Sequence, residues 1–236
     1  MGHEVPKSIL DFPCDLNAAL ELCLYIDHLK RWNQSINLIS RKDIGGVWSN
    51  HILLSIAFLF RVDFSGGSRV LDLGTGGGLP GIPLSIIRPD IDFVLLDSIN
   101  KKTRAVEEMA GSLQLPNISV VCSRAEEINR KPGYAASFDA VIARGVAGLE
   151  NLVKWGLPFL KKADAPKMIS FRSGKETISV AQALVTLKGG DMTAEMEKTT
   201  RRYPGIKIRS SDLVFHGSET LENSERKFII VENYHR

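Results

Sequence analysis

The stretch Val70-Leu71-Asp72-Leu73-Gly74-Thr75-Gly76-Gly77-Gly78-Leu79-Pro80-Gly81 decides the fold. An apolar run broken only by Asp72 reads as a buried strand, the glycines as a tight turn, and Pro80 as the opening of a helix. Glycines let the backbone turn sharply and let a ligand approach closely. Between a strand and a helix of a parallel sheet, such a turn forms the crevice beyond the strand's carboxyl end. Downstream the alternation continues. Phe93-Val94-Leu95-Leu96, Ile118-Ser119-Val120-Val121, Ala140-Val141-Ile142 and Met168-Ile169-Ser170-Phe171 predict further strands. Residues 84–87, 101–113, 149–160 and 176–187 predict the helices between them. Leu213-Val214-Phe215 and Lys227-Phe228-Ile229-Ile230-Val231 predict a terminal hairpin, added antiparallel to the sheet edge. Upstream, residues 15–34 carry helical spacing with Asp15 as N-cap, and residues 47–60 a second helix. Ser65-Gly66-Gly67-Ser68 marks the hinge. The expected organisation is a helical extension over residues 1–64, packed on an α/β domain over residues 65–236 with a parallel sheet covered on both faces.

Composition narrows the function classes. The chain has 236 residues, 44% hydrophobic and 24% charged, ordinary values for a globular protein. They exclude a disordered chain, a collagen-like fibre and a coiled coil. Lysine and arginine number 30 against 27 acids, a net +3. Such a sum does not identify a partner, because binding depends on where the charge lies. The longest apolar stretch, residues 52–60, is far short of the ~20 residues that span a bilayer. The first ten residues have no signal core, and Pro6 stands where a myristoylation motif needs Ser or Thr. The three cysteines, Cys14, Cys23 and Cys122, suit neither a zinc site nor a disulfide framework. A reducing, cytoplasmic compartment is expected.

The glycine turn leaves several ligand readings open. Gly76-x-Gly78-x-x-Gly81 fits the dinucleotide-binding pattern. Asp72-x-Gly74-x-Gly76-x-Gly78 instead resembles the first motif of the class I S-adenosylmethionine-dependent methyltransferases, in which the acid faces the amino acid end of the cofactor. An acid is unhelpful beside a pyrophosphate and welcome beside a sulfonium that carries an ammonium group, so Asp72 favours S-adenosylmethionine. A turn with no ligand is the remaining reading, against which so many glycines weigh. Asp97, ~20 residues beyond the glycines, can accept ribose hydroxyls under either cofactor reading, or cap the following helix. After the third strand, the Ala125 N–H and the acid of Glu126 stand where such methyltransferases read adenine. Ser123-x-x-Glu126 equally fits a capping box.

Several segments together resemble one family. They are Leu73-Gly74-Thr75-Gly76-Gly77-Gly78-Leu79-Pro80-Gly81-Ile82-Pro83-Leu84, Leu95-Leu96-Asp97-Ser98 with Lys101-Lys102-Thr103-Arg104, Ser123-Arg124-Ala125-Glu126 and Ile142-Ala143-Arg144-Gly145-Val146-Ala147. Ser224-Glu225-Arg226-Lys227-Phe228-Ile229-Ile230-Val231 fits near the end of the chain. Trp32-Asn33-x-x-x-Asn37-Leu38-Ile39-Ser40 and His51-Ile52-Leu53 fit in the helical part. The chain resembles the bacterial small-subunit ribosomal RNA guanine-N7 methyltransferases, also called glucose-inhibited division protein B, from about residue 16 to residue 231. The resemblance implies a Rossmann-like, doubly wound, mostly parallel seven-stranded class I methyltransferase sheet with the N-terminal helical extension. It implies methylation by S-adenosylmethionine of N7 of one guanine near the decoding region of 16S ribosomal RNA. By position, Asp72, Gly74, Gly76, Gly78, Leu79, Asp97, Ala125, Glu126 and Arg144 would hold the cofactor, Arg144 at the mouth of the site. Two departures stand out. Leu54 occupies a place where the family often has an acid. A Lys-Gly pair common after the fifth strand is replaced by Arg172-Ser173-Gly174.

Guanine N7 carries an in-plane lone pair and no proton. In-line displacement on the sulfonium methyl therefore needs no general base, and positioning supplies catalysis. No nucleophile and no metal are expected. Arg144, the one catalytic candidate, can bind the guanine O6/N7 edge or a phosphate, or simply form a salt bridge at a strand end. Asn37, His51, Arg124, Arg172 and Arg226 are candidates for holding RNA by charge or hydrogen bond, although a lone histidine such as His51 is often a packed one. Lys101-Lys102, Arg104, Arg41-Lys42, Lys175, Arg201-Arg202 and Lys227 extend the set of bases. The expected partner is 16S ribosomal RNA or the small ribosomal subunit, with no membrane and a monomeric enzyme. Competing readings are a methyltransferase of protein or small molecules, a non-catalytic module of the same fold, and a nicotinamide dehydrogenase.

Overall fold

The computed structural model describes residues 16–162, 169–173, 176–180, 182–213 and 225–233. Helix α1 (Leu16–Asn33) opens the described chain. A 3-10 turn (Arg41–Gly46) and a π-helical turn (Trp48–Ile52) lead into α2 (Leu53–Arg61) and the short strand β1 (Val62–Phe64). The α/β part follows as β2 (Arg69–Leu73), α3 (Gly81–Ile87), β3 (Asp92–Asp97), α4 (Asn100–Ser112), β4 (Ile118–Cys122), α5 (Ala125–Ile128), β5 (Ala140–Arg144) and α6 (Leu149–Gly156). Then come β6 (Ile169–Ser173), β7 (Glu176–Val180), β8 (Ala183–Gly189), α7 (Thr193–Arg202), β9 (Ile206–Asp212) and β10 (Arg226–Asn233).

The main sheet has seven strands in the order β4-β3-β2-β5-β8-β10-β9. Its pairs are parallel from β4 through β8, and β10 runs antiparallel to both neighbours. The strand order reverses between β2 and β5, where a crevice opens in doubly wound folds. Side chains alternate between two cores, as the two-residue period of a strand requires. Ala140 and Ile142 of β5 enter one core; Val141 and Ala143 enter the other. The first core also takes in Leu22, Tyr25 and Leu29 of α1 and Phe58 of α2, so the N-terminal helices cover one face of the sheet. Phe58 meets Phe228 of β10 edge-on, with ring centroids 5.0 Å apart. The second core is closed by α6 and Phe159, which meets Phe138 edge-on at 5.8 Å.

The expected strands at 70–73, 93–96, 118–121 and 140–142 and the helices at 84–87, 101–113 and 149–160 are present, with small changes at their ends. The terminal antiparallel pair is present too, although its first strand ends at Asp212 rather than running through Val214 and Phe215, which lie outside the described residues, as do Asp15 and Cys14. Helix α7 lies outside the expected elements: within its bounds only Thr199 is buried, and Met196 packs partly buried against the second core.

The segment after α6 differs most. No helix spans 176–187; β7 and β8 occupy it. Thr177, Ile178, Val180, Val185 and Thr186 are β-branched residues that suit a pleated surface. The strand expected at Met168–Phe171 is β6, and it does not join the main sheet. It pairs antiparallel with β1 and β7 in a separate three-stranded sheet. The fifth strand of the parallel core is therefore β8, paired with β5 from Ala140↔Ala183 to Arg144↔Leu187. It ends in Lys188-Gly189, so the Lys-Gly pair is present after all. Arg172 belongs to the added hairpin.

Candidate active site

The carboxyl ends of β2, β3, β4, β5 and β8 surround a cleft of about 830 Å³, within the size range of small-molecule sites. Its floor is the turn after β2. Gly74 and Gly78 have φ of +75° and +94°, conformations that favour glycine. A Cβ on Gly74 would stand 2.7 Å from a methyl of Val146, and one on Gly78 2.5 Å from Ile82. A side chain at either position would collide with its neighbours, so the turn has to be built from glycine there.

Buried polar contacts fix the cradle. Asp72 is fully buried, and its Oδ2 accepts from Thr75 Oγ1 at 2.7 Å and from the Gly81 N–H at 2.9 Å. Its Oδ1 is buried with no hydrogen-bond partner. Burial pushes the Asp72 carboxyl up to about 6, against the pull of the Thr75 and Gly81 bonds. Asp97 Oδ2 accepts from the Gly76 N–H at 3.0 Å and Oδ1 from the Ile99 N–H at 2.9 Å. Each of these Asp97 oxygens retains a lone pair for a further donor. From the other side, the Tyr25 hydroxyl of α1 donates to the Gly77 carbonyl at 2.8 Å in a buried bond. Leu29 and Leu38 pack within about 3 Å of where a Gly77 Cβ would sit. Burial raises the Tyr25 phenol far above its ordinary value.

The opposite wall carries Arg144 at the end of β5. Its Nη1 donates to the carbonyls of Asn50 (3.3 Å) and His51 (3.2 Å), and its Nη2 lies 3.1 Å from His51 Nδ1. Burial draws its pKa down to about 10, with Tyr25 and Asp72 opposing, so it is cationic at neutral pH. His51 Nε2 lies 3.3 Å from Asp43 Oδ2. Burial and then Arg144 push the imidazole down to about 4, against Asp43, so it is neutral. The loop after Arg144 is pinned by Lys188, whose Nζ donates to the Ala147 carbonyl at 2.6 Å and lies 3.5 Å from Glu195. Glu195 also accepts from the Leu149 N–H.

Of the residues singled out in the sequence, Gly74, Gly76, Leu79, Asp97, Ala125, Glu126 and Arg144 line the cleft together. His51, Arg124 and Arg226 join them. Asp72 and Gly78 do not reach its surface; they shape the turn from beneath. Asn37 borders a separate shallow hollow next to Arg41, and Arg172 lies on β6, outside the main sheet. Leu54 lines the cleft, and the carboxylate beside His51 belongs to Asp43. Lys102 and Lys188 add to the bases of the cleft, whereas Arg201 pairs with Glu197 on α7 and Lys227 with Asp212. Sequence reasoning missed Tyr25, Asp43 and Lys188 as site residues. Tyr25 sat among helical core positions, and Lys188 was hidden by the misplaced fifth strand. Among the described residues no cluster of three or more His, Cys, Asp and Glu could hold a metal ion. No helix of the described residues is long and apolar enough to cross a membrane.

The sheet order, the glycine cradle and the acid closing the next strand define a Rossmann-like class I methyltransferase fold. Solved structures share it. A putative O-methyltransferase from Klebsiella pneumoniae matches with a TM-score of 0.54 at 11% identity, over 96% of this chain and 94% of that one. The O-methyltransferase TomG from Streptomyces achromogenes, solved with SAM, matches with a TM-score of 0.53 at 15% identity, over 97% and 94%. The family model for rRNA small subunit methyltransferase G matches residues 19–203. The ribosomal RNA small subunit methyltransferase G of Bacteroides fragilis is 40% identical over 172 residues, 73% of each chain. The chain belongs to this rRNA small subunit methyltransferase G family.

Proposed function

We infer that this protein transfers a methyl group from S-adenosylmethionine to N7 of a guanine in 16S ribosomal RNA, as its family membership indicates. One observation carries the reading: a single cleft joins the glycine turn and Asp97 to Arg144 and to the bases Lys102, Arg124 and Arg226. The donor half and an anion-binding half thus face one another.

The residues present fit the donor. Gly74, Gly76 and Gly77 line the cleft without side chains, so the amino acid end of the donor can approach the backbone there, and the free lone pairs of Asp97 suit ribose hydroxyls. Gly76, Leu79, Ala125 and Glu126 complete that side. Asp72 and Gly78 act through the shape of the turn. When bound, S-adenosylmethionine supplies a methyl group on a sulfonium, open to a lone pair. The acceptor atom has no proton to lose, so the chain needs to orient and not to deprotonate. Guanine presents O6 and N7 side by side. A donor aimed at N7 would occupy the attacking lone pair, so Arg144 serves by holding O6 or the adjoining phosphate. Its charge, in a partly desolvated wall, is stronger there than in water. Arg124, Arg226 and Lys102 hold phosphates at the mouth. Asn37 and Arg172 take no part in this reading.

Residues 16–64 act as a buttress rather than a separate unit, with the hinge at 65–68. The enzyme works as a monomer in the cytoplasm, on the small ribosomal subunit or its RNA. The test combines two measurements. Calorimetry should show binding of S-adenosylhomocysteine and none of NAD. Methyl-labelled donor, incubated with small subunits from a strain lacking this modification, should label one nucleoside, 7-methylguanosine. Binding of NAD instead, or label in protein or small metabolites, rejects the reading.

A further inference from the structure

Arg144 stands in the cleft wall bonded to the segment just ahead of α2. Three contacts hold its guanidinium: Nη1 to the Asn50 and His51 carbonyls, and Nη2 to His51 Nδ1. A guanidinium has five N–H donors and no acceptor. His51 Nδ1 must therefore present its lone pair, which places the ring proton on Nε2. Nε2 in turn lies 3.3 Å from Asp43 Oδ2; the two are not aligned as a hydrogen bond, but the carboxylate beside the buried Nε2 attracts its proton by charge. The partners on both sides of the ring call for the same tautomer. The three contacts leave the Nε–H of Arg144 and one Nη2–H for the cleft.

The direction of those two N–H groups matters for the chemistry. Turned toward O6 they orient the base; turned toward N7 they occupy the lone pair that must attack. The plane of the guanidinium therefore controls rate more than affinity.

We propose that Asp43 and His51 are positioning residues of methyl transfer: Asp43 fixes the Nε2–H form of His51, and the Nδ1 lone pair of His51 fixes the plane of the Arg144 guanidinium against the acceptor guanine. This rests on the reading of Arg144 as the donor to the acceptor base. It moves His51 from RNA docking, the expectation from sequence, to the orientation of Arg144. The charged groups facing the ring are Asp43 from the 3-10 turn, Arg144 from β5 and Arg226 from β10. Two cations and burial keep it neutral at neutral pH, as an acceptor must be.

Three variants of the full chain separate the contacts. His51→Asn keeps a polar acceptor where Nδ1 stood. His51→Gln keeps only a group near Nε2, toward Asp43. His51→Ala keeps neither. Single-turnover transfer from labelled S-adenosylmethionine to unmodified small subunits, at saturating concentrations of both, should slow about tenfold or more for His51→Ala and His51→Gln. His51→Asn should recover most of the rate. KM for the subunit, the affinity for S-adenosylhomocysteine and the melting temperature should stay near those of the wild type. Asp43→Ala should fall between. Equal rates for all three His51 variants, a rise in KM with kcat kept, or a rate loss that follows donor affinity overturns the proposal. Nitrogen-15 NMR of the His51 ring gives a readout free of RNA: Nε2–H is expected at pH 7, and Nδ1–H overturns the proposal on its own. If the wild type labels no RNA, the proposed function fails and the proposal falls with it. Labelled RNA with indifferent His51 variants sinks the proposal alone.

Discussion

The two walls of the cleft are built from different physics. On the glycine side, the polar groups are already engaged by the protein: Asp72 with Thr75 and Gly81, Asp97 with Gly76 and Ile99, Tyr25 with Gly77. These bonds are short and mostly buried, so salt screens them little. On the arginine side, charge is held ready for a partner. Arg144 is fixed but keeps N–H groups for the cleft, and Arg124 is exposed at the rim. Under the proposed function, the contrast makes the donor half preorganised and the acceptor half a supply of directed charge. Substitutions in the first should change affinity for the donor; those in the second should change the rate and its response to salt.

Breaking the arginine wall has the largest expected effect. Arg144→Ala should slow methyl transfer by about a hundredfold to a thousandfold, the loss seen when one preorganised donor is removed from a reacting centre. Binding of S-adenosylhomocysteine, followed by calorimetry, should survive it. An equal loss in both would mean that the walls are not separable.

A pH experiment sharpens the other side. Folded Asp72 titrates near 6, raised from an ordinary 3.8. Its contribution to stability is therefore complete below pH ~4 and is lost as pH rises through 6. Asp72→Asn removes the buried charge and keeps an oxygen for Thr75 and Gly81. Relative to the wild type, it should gain up to about 3 kcal/mol between pH 4 and pH 7.5. His51, lowered from 6.5 to about 4, acts in the opposite sense, with stability lost as pH falls. The difference between wild-type and variant melting curves carries the test, and a difference that does not change with pH would contradict it.

Smaller effects follow. Gly74→Ala forces a side chain into φ +75° and against Val146. A strain of about 1–3 kcal/mol should weaken S-adenosylhomocysteine binding roughly tenfold, read by calorimetry, with kcat at saturating donor little changed. Smallest of all, Arg124→Ala and Lys102→Ala should each lower the slope of log affinity for the subunit against log salt by about 1. Unchanged slopes would place the RNA elsewhere.

Much of the molecule was legible because local pattern and tertiary role agree from β2 to β5. Strand, glycine turn and helix follow in strict order there, and Asp97 closes its strand at the expected distance. The region beyond α6 was harder. The hairpin of β6 and β7 inserts two strands ahead of β8, and a reader counting strands meets the wrong fifth one. Their β-branched residues carried the correct signal, but helix was expected from the alternation of the fold. Tyr25 and Asp43 were unreadable for another reason. Both depend on contacts across long sequence separations: Tyr25 bonds Gly77, and Asp43 lies beside His51, which meets Arg144. Periodicity shows which face of a helix is buried, but not which hydroxyl meets a loop carbonyl. The small net charge also made sense only in place. Arg124, Arg144 and Arg226 gather at one cleft, while bases such as Arg201 and Lys227 pair on other surfaces.

The most direct measurement is methyl transfer to unmodified small subunits by the wild type and by Arg144→Ala at saturating donor, with the RNA digested to nucleosides and S-adenosylhomocysteine binding measured alongside. The account predicts one labelled product, 7-methylguanosine, from the wild type, and a strongly slowed reaction with intact donor binding from the variant. Label in another nucleoside or in protein, or a variant as fast as the wild type, would contradict it.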